Sequence, residues 1–152
     1  MKAPLKILVA EDDADDALLL CRALARAGVT APVAVVRDGQ EVLDYLQGNP
    51  PFDEGAAHFT PNLLLLDLKM PRLNGFEVLE WLRARGLLED LVVVVLSSSA
   101  EANDLKRACS LGAKFYVVKP TAFDELAHVV ERVHDFWRET LAKGVVRSDA
   151  QA

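Results

Sequence analysis

The sequence predicts an α/β domain with a doubly wound, five-stranded parallel sheet. Two observations carry that reading. Five short apolar runs recur along the chain without polar alternation, which suits strands buried on both faces beneath helices. Segments of helical periodicity separate them, so the order is βαβαβαβαβα, and such alternation requires right-handed crossovers. With 152 residues, 51% of them hydrophobic, the chain is long enough for one sizeable core and leaves no room for a second domain.

The first strand is Ile7–Ala10 (ILVA). A helix follows, with Asp13 as its cap, Asp15 and Asp16 as first-turn acids, a stripe of Ala17, Leu20, Cys21 and Leu24, and Gly28 as its stop. The second strand is Val33–Val36. Asp38 with Glu41 forms a box-like start for the next helix, around Val42, Leu43 and Leu46. The third strand is Leu63–Leu66, and Asn74 caps the helix that carries Val78, Leu79 and Leu82. The fourth strand is Val92–Leu96. Ser98 with Glu101 starts a helix holding Ala102, Leu105 and Cys109, with Gly112 as its stop. The fifth strand is Phe115–Val118, and Thr121 with Asp124 opens a long helix running to about Ala142.

Gln47–Asn62, with three prolines and two glycines, reads as a surface loop longer than usual for a helix-to-strand connection. Residues 143–152 carry few anchors and read as a flexible tail. The domain is expected over residues 1–142. Cys21 and Cys109 stand in no metal-binding or redox spacing and read as buried thiols. The histidines, His58, His128 and His134, read as surface residues without ligand spacing. The net charge of −6 comes with scattered Lys and Arg, so no nucleic-acid footprint is expected. The apolar stretch near the N-terminus is too short for a signal peptide, and no run is long enough to cross a membrane. A soluble, cytoplasmic protein is expected.

Chemistry in open α/β sheets gathers at the carboxyl ends of the strands. Glu11, Asp12 and Asp13 follow the first strand, Asp67 the third, Ser97, Ser98 and Ser99 the fourth, and Lys119 and Pro120 the fifth. Carboxylates converging without an arginine require a cation. Oxygen donors alone suit a hard metal, and a site with few protein ligands suits Mg²⁺, which keeps waters and shares phosphate oxygens. A lysine and a hydroxyl nearby can bind the other oxygens of a phosphoryl group. A Mg²⁺-assisted phosphate site follows.

The stretches ILVAEDD, LLLLDLKMPRLNGFEVL, VVVLSSSA and GAKFYVVKP resemble those of the response-regulator receiver domain of the CheY type. The resemblance runs from Lys6 to about Leu141. The intervals from Asp67 to Ser97 and from Ser97 to Lys119, 30 and 22 residues, are at home in that family. The interval from Asp12 to Asp67 is longer than usual, and the Pro/Gly loop accounts for the surplus.

The resemblance implies a flavodoxin-like strand order 2-1-3-4-5 with an extended C-terminal helix. It implies that Asp67 accepts a phosphoryl group from a sensor histidine kinase. Mg²⁺ would be held by Asp12 directly, Glu11 through water, Asp67, and the backbone carbonyl of Lys69. Lys119 would pair with one phosphoryl oxygen. Ser97 would donate to another, and Tyr116 would swing inward behind it as the second switch residue. The Lys119–Pro120 bond is expected to be cis. Lys69 and Ser98 would modulate the lifetime of the phosphoform, the first by shielding it from water and the second by crowding the phosphorus.

The last helix outruns the strand beneath it, and its final turns carry Phe136, Trp137 and Leu141. These residues either fold back over the N-terminus or loop, or form a second surface. The receiver subgroup that partners phytochrome-type kinases is similar here, with a long loop before the acceptor strand and a late aromatic pair. That implies a homodimer through the face of helix four, strand five and helix five. The segment after the last helix is too short for an output domain, so the expected function is a stand-alone phosphorylation switch rather than a classical enzyme. Two alternatives are a phosphate-independent pseudo-receiver adaptor and a Mg²⁺ aspartyl-phosphate phosphatase. The phosphatase wants an acid two residues after the nucleophile, where this chain has Lys69.

Overall fold

A computed structural model describes residues 4–52 and 58–142, with side chains to residue 139. The expected tail, 143–152, and the side chain of Leu141 lie outside the described residues. The elements are β1 (Ile7–Ala10), α1 (Ala14–Arg26), β2 (Val33–Val36), α2 (Gly39–Gln47), β3 (Leu63–Leu66), α3 (Gly75–Ala84), β4 (Val92–Ser97), α4 (Ala102–Ser110), β5 (Phe115–Val118) and α5 (Phe123–Ala142), with a 3-10 turn at Leu87–Glu89. The five strands form one parallel sheet in the order β2-β1-β3-β4-β5.

Strand pleating divides the core into two layers. Leu8, Ala10, Leu64, Leu66, Val93 and Val95 face α2, α3 and α4, where Val42, Leu79 and Ala108 meet them. Ile7, Val9, Leu63, Leu65, Val94 and Leu96 face α1 and α5, where Leu20, Leu24, Val130 and Trp137 meet them. Full burial holds for β1, β3 and β4 only. The runs at β2 and β5 are half exposed, with Val35, Phe115 and Val118 open to solvent, because these are the two edge strands. An apolar run alone cannot distinguish an edge strand from a central one.

Local chemistry explains the helix starts. Asp13 accepts the amides of Asp15 and Asp16. Asp38 accepts that of Glu41, and Asn74 and Glu77 form a reciprocal capping box. Two expected starts are not formed as read. The cap position of α4 is Glu101, not Ser98, because the Ser99 hydroxyl takes the Glu101 amide. The α5 helix begins at Phe123, and Asp124 pairs with Arg26 of α1 rather than with Thr121.

The late aromatics of α5 separate. Trp137 is 6% exposed and lies in the core layer with Ile7, Val29 and Leu63, so it belongs to the fold and not to a second surface. Phe136 stays half-buried, edge-on to Phe115 of β5 with ring centroids 4.7 Å apart. His58 also departs from the surface reading. It is half-buried, stacked 4.6 Å from Tyr45, with Nε2 at 3.0 Å from the Tyr45 carbonyl. Cys21 and Cys109 are free and half-buried.

Candidate phosphoryl-transfer site

Strand register sets the site. Ala10 pairs with both Val36 and Leu66, so the next residues on β1 and β3 emerge side by side. The Asp67 amide donates to the Ala10 carbonyl at 3.1 Å, and the Glu11 amide to the Val36 carbonyl at 3.0 Å. Ser97 pairs with Val118, and the Lys119 amide donates back to the Ser97 carbonyl at 2.7 Å. The parallel register of β1, β3, β4 and β5 thus delivers Glu11, Asp67, Ser97 and Lys119 to one edge.

Glu11 and Asp67 are buried and Asp12 is exposed. One carboxylate oxygen from each lies within 4.8 Å of the others. Lys119 Nζ reaches into this group, bonding Glu11 Oε1 and standing 3.3 Å from Asp67 Oδ2 and 3.6 Å from Asp16 Oδ2. Burial pushes the Glu11 carboxyl up to about 7; Asp67 adds to the rise, while Lys119 and the Asp13 amide oppose it. Burial acts to lower the Lys119 ammonium, but the bond to Glu11 and the charges of Asp67, Glu11 and Asp16 outweigh it and raise the group. Three converging carboxylates with oxygen donors only are a fit for a hard divalent cation.

The loop after β3 is fastened from both sides. The Asp67 carbonyl sits against Gly75, where an added Cβ would lie 2.6 Å away, and the Gly75 amide donates to the Leu68 carbonyl. The Lys69 amide donates to Asp67 Oδ1 at 3.3 Å, and its side chain is exposed. Arg72, at φ 65, holds Asp38 with two bonds of 2.9 and 3.1 Å, while the Gly39 amide donates to the Leu73 carbonyl. The start of α2 therefore clamps the loop.

Beside Lys119 a cavity of about 330 Å³ opens, with Glu11, Asp67, Ser98 and Lys119 on its polar side and Leu19 and Leu126 on its apolar side. Ser98 is exposed toward it. Ser97 is fully buried, and its Oγ accepts the Ser99 amide at 3.1 Å. Tyr116 is half-buried against the α2–α4 layer, its hydroxyl donating to the Ser99 carbonyl at 2.8 Å. The Lys119–Pro120 bond is trans. The cis bond found among the described residues is Pro50–Pro51. An X–Pro amide prefers trans by only about 0.5–1 kcal/mol, so the pair of residues does not decide its isomer.

Sequence reasoning missed three participants. Asp16 was read as a helix-dipole charge, yet one helical turn returns it to Lys119. Arg72 carried no motif signal, since its partner Asp38 lies on another connection. Ser99 was the least conspicuous of three serines, although its spacing of two residues from Ser97 puts both on one side of an extended segment.

The pattern is shared with known proteins. The response regulator receiver domain matches residues 7–131. The chain is 37% identical over 134 residues to the probable methanogenesis regulatory protein FilR2 of Methanothrix harundinacea, covering 88% of this chain and 84% of that one. It is 30% identical over 138 residues to response regulator Rcp1 of Synechocystis sp., covering 91% and 92%, and the Mn²⁺-bound form of Rcp1 superposes with a TM-score of 0.78 over 90% and 96%. The phosphorylated cyanobacterial phytochrome response regulator RcpA superposes with a TM-score of 0.80 at 33% identity, covering 91% and 96%.

Proposed function

The chain belongs to the response regulator receiver domain family, a signalling family, and we propose that within it Asp67 is the phosphoacceptor. The observation that carries this is the buried Asp67 at the end of a central strand, with Lys119 Nζ 3.3 Å away and two further carboxylates beside it. A carboxylate oxygen of Asp67 bonds to the phosphorus of a kinase phosphohistidine. The P–N bond breaks, the imidazole leaves with the electron pair, and an acyl phosphate results. Carboxylates are weak nucleophiles, so the protein contributes position and charge neutralisation.

The carboxylates of Glu11, Asp12 and Asp67 and the carbonyl of Lys69 are the groups that would hold Mg²⁺. The ion, when bound, supplies positive charge to the phosphoryl oxygens. Lys119 turns from its carboxylates to one phosphoryl oxygen. The Ser97 hydroxyl donates to another, and Tyr116 follows it. Lys69, exposed beside Asp67, shields the acyl phosphate from water, and Ser98, facing the cavity, crowds the phosphorus. Lys69→Ala is expected to shorten the phosphoform half-life, and Ser98→Ala to speed both gain and loss of the phosphoryl group.

The kinase we assign is of phytochrome type, supported by the likeness to RcpA. The surface we assign to homodimerisation is the α4–β5–α5 face, supported by the exposure of Leu105, Phe115 and Val118. Sedimentation at tens of micromolar, with and without phosphorylation, tests it; a monomer in both states refutes it. No helix among the described residues is long and apolar enough to cross a membrane, and the compartment we propose is the cytoplasm.

The central test is intact mass after incubation with Mg²⁺ and acetyl phosphate. One added phosphoryl group is expected for the wild type and none for Asp67→Asn. No addition, or equal addition to both, overturns the assignment and leaves the pseudo-receiver reading.

A further inference from the structure

Asp16 stands in the site without belonging to its cation-binding group. It lies in the first turn of α1, its amide held by Asp13 Oδ1 at 3.0 Å, and its Oδ2 is 3.6 Å from Lys119 Nζ. The carboxylates that converge at cation-binding distance are Glu11, Asp12 and Asp67. On the reading of Asp67 as phosphoacceptor, Lys119 turns to a phosphoryl oxygen, and Asp16 loses that ammonium as a partner.

The cavity beside Lys119 shows what can replace it. Its volume of about 330 Å³ is at the lower end for small-ligand pockets. Asp16 lines it together with Asp67 and Lys119, while Leu19, Pro120 and Leu126 make the rest of that wall apolar. The Asp16 side chain is 49% exposed, so a group entering from solvent reaches it. A carboxylate bordered by apolar surface is best served by a partner that brings an N–H or a positive charge on an otherwise apolar body. An imidazole has that combination, with flat carbon faces and a ring N–H at its edge. An anionic leaving group offers no N–H and meets a like charge.

We propose that Asp16 is a specificity-determining residue of the phosphoryl-transfer site, selecting donors whose leaving group is a protonated nitrogen ring over acyl phosphates. The proposal rests on the reading of Asp67 as phosphoacceptor. The donor ring carries the phosphoryl group on one nitrogen and a proton on the other. An Asp67 oxygen forms the new O–P bond as the P–N bond breaks. The electron pair passes to the ring, which departs as neutral imidazole with its proton still in place. The Asp16 carboxylate accepts that N–H and favours the protonated donor, whose ring leaves more readily, and Leu19 and Leu126 cover the ring faces. With an acyl phosphate the departing group is a carboxylate, which leaves beside Asp16 against charge repulsion.

Phosphoimidazole and acetyl phosphate are the two donors that test this. Each is supplied with the same Mg²⁺, at neutral pH and equal ionic strength, and phosphoryl addition is followed by intact mass. The quantity read is the ratio of the two rates, in which changes in folded fraction, cation binding or Lys119 cancel. Asp16→Asn is expected to lower the ratio of phosphoimidazole to acetyl phosphate by about tenfold, the low end for a hydrogen bond to a charged group, because this one is half exposed. Asp15→Asn removes the same charge from the neighbouring position, outside the cavity lining, and is expected to keep the wild-type ratio.

An unchanged ratio in Asp16→Asn, or an equal fall in both variants, overturns the selection by Asp16 and leaves the reading of Asp67 standing. A wild type that takes a phosphoryl group from neither donor overturns the phosphoacceptor reading and the selection with it.

Discussion

Gly75→Ala separates the positioning of Asp67 from the stability of the fold. Gly75 opens α3 in direct contact with the end of β3. A Cβ there would lie 2.6 Å from the Asp67 carbonyl oxygen, 2.8 Å from Leu68 Cα and 2.9 Å from Leu68 Cδ2, where ordinary contact begins at 3.4 Å. Two of the three obstacles are backbone or Cα, so the strand end and the helix must part by about 0.8 Å in a close-packed interior. Such overpacking costs about 1–3 kcal/mol, offset by about 0.5–1 kcal/mol for replacing a helical glycine with alanine. A net loss of about 1–2 kcal/mol is expected, which lowers the urea midpoint by roughly 1 M. A displacement approaching 1 Å at a reacting group costs up to about 10²-fold in rate, so phosphoryl addition from acetyl phosphate is expected to slow by about 10- to 100-fold. Gly86→Ala is the control. Gly86 has φ 70 and nothing within 4 Å of an added Cβ, so its cost is backbone strain of about 1–2 kcal/mol, paid away from Asp67. The two variants are compared by urea titration and by intact-mass time courses. Equal rates in both, at equal folded fraction, would refute the claim that Gly75 sets the position of Asp67.

Three further outcomes follow from the geometry. Lys119→Met, which keeps the stem and removes the ammonium, is expected to slow phosphoryl addition by about 10²- to 10³-fold, as loss of one preorganised charge donor does; a mass time course at wild-type rate would contradict it. At Asp38, burial acts to raise the carboxyl, but the bonds to Arg72 and to the Glu41 amide outweigh it and hold the group below its usual 3.8. Its contribution is therefore complete above about pH 4 and lost as pH falls through the lowered value, so Asp38→Asn is expected to lose less stability than the wild type between about pH 4 and 2, read by circular dichroism in urea. Trp137→Ala is expected to lower stability by about 3–5 kcal/mol, because its ring fills the core layer between β1, β3 and α5; a change under 1 kcal/mol in urea titration would return Trp137 to the surface.

The sheet and its order of elements were legible because each strand is a short apolar run and each connection contains a helix-period segment. The boundaries of β1, β2, β3 and β5 coincide with those runs, and β4 extends by Ser97 alone. The site was legible for the same reason: once the strands are parallel, the residues after them share an edge. What stayed hidden depends on contacts between connections distant in sequence. Asp38 to Arg72 and Arg26 to Asp124 span 34 and 98 residues, and a pattern within one segment carries no trace of them. Burial of Trp137 was hidden because helix length gives overhang but not where the N-terminal ends of neighbouring strands lie. Ser98 was read as the α4 cap from spacing alone, whereas the Ser99 hydroxyl reached the Glu101 amide first.

The acidic run Glu11–Asp16 shows how one segment can serve two purposes at the cost of its own repulsion. Asp13 belongs to α1 as its cap. Glu11 turns inward to Lys119, Asp12 stays at the rim beside it, and Asp16 returns one turn later to the same ammonium. With Asp67, three carboxyls then surround one lysine, and Asp12 stands beside two of them. That balance is negative when Glu11 is ionised, and the fold holds Glu11 near the point of protonation, about 7. The phosphoryl group proposed for Asp67 would add further negative charge to a partly buried place, where Coulomb repulsion at 4 Å is worth about 4 kcal/mol per pair of unit charges. One ammonium cannot offset this. A divalent cation held by Glu11, Asp12 and Asp67 would supply the missing positive charge, and Lys119 would then be free to exchange a carboxylate for a phosphoryl oxygen. On the proposed reading, the crowding of acids at the end of a buried strand is the charge counterpart of a phosphoryl group on Asp67 and the cation that would accompany it.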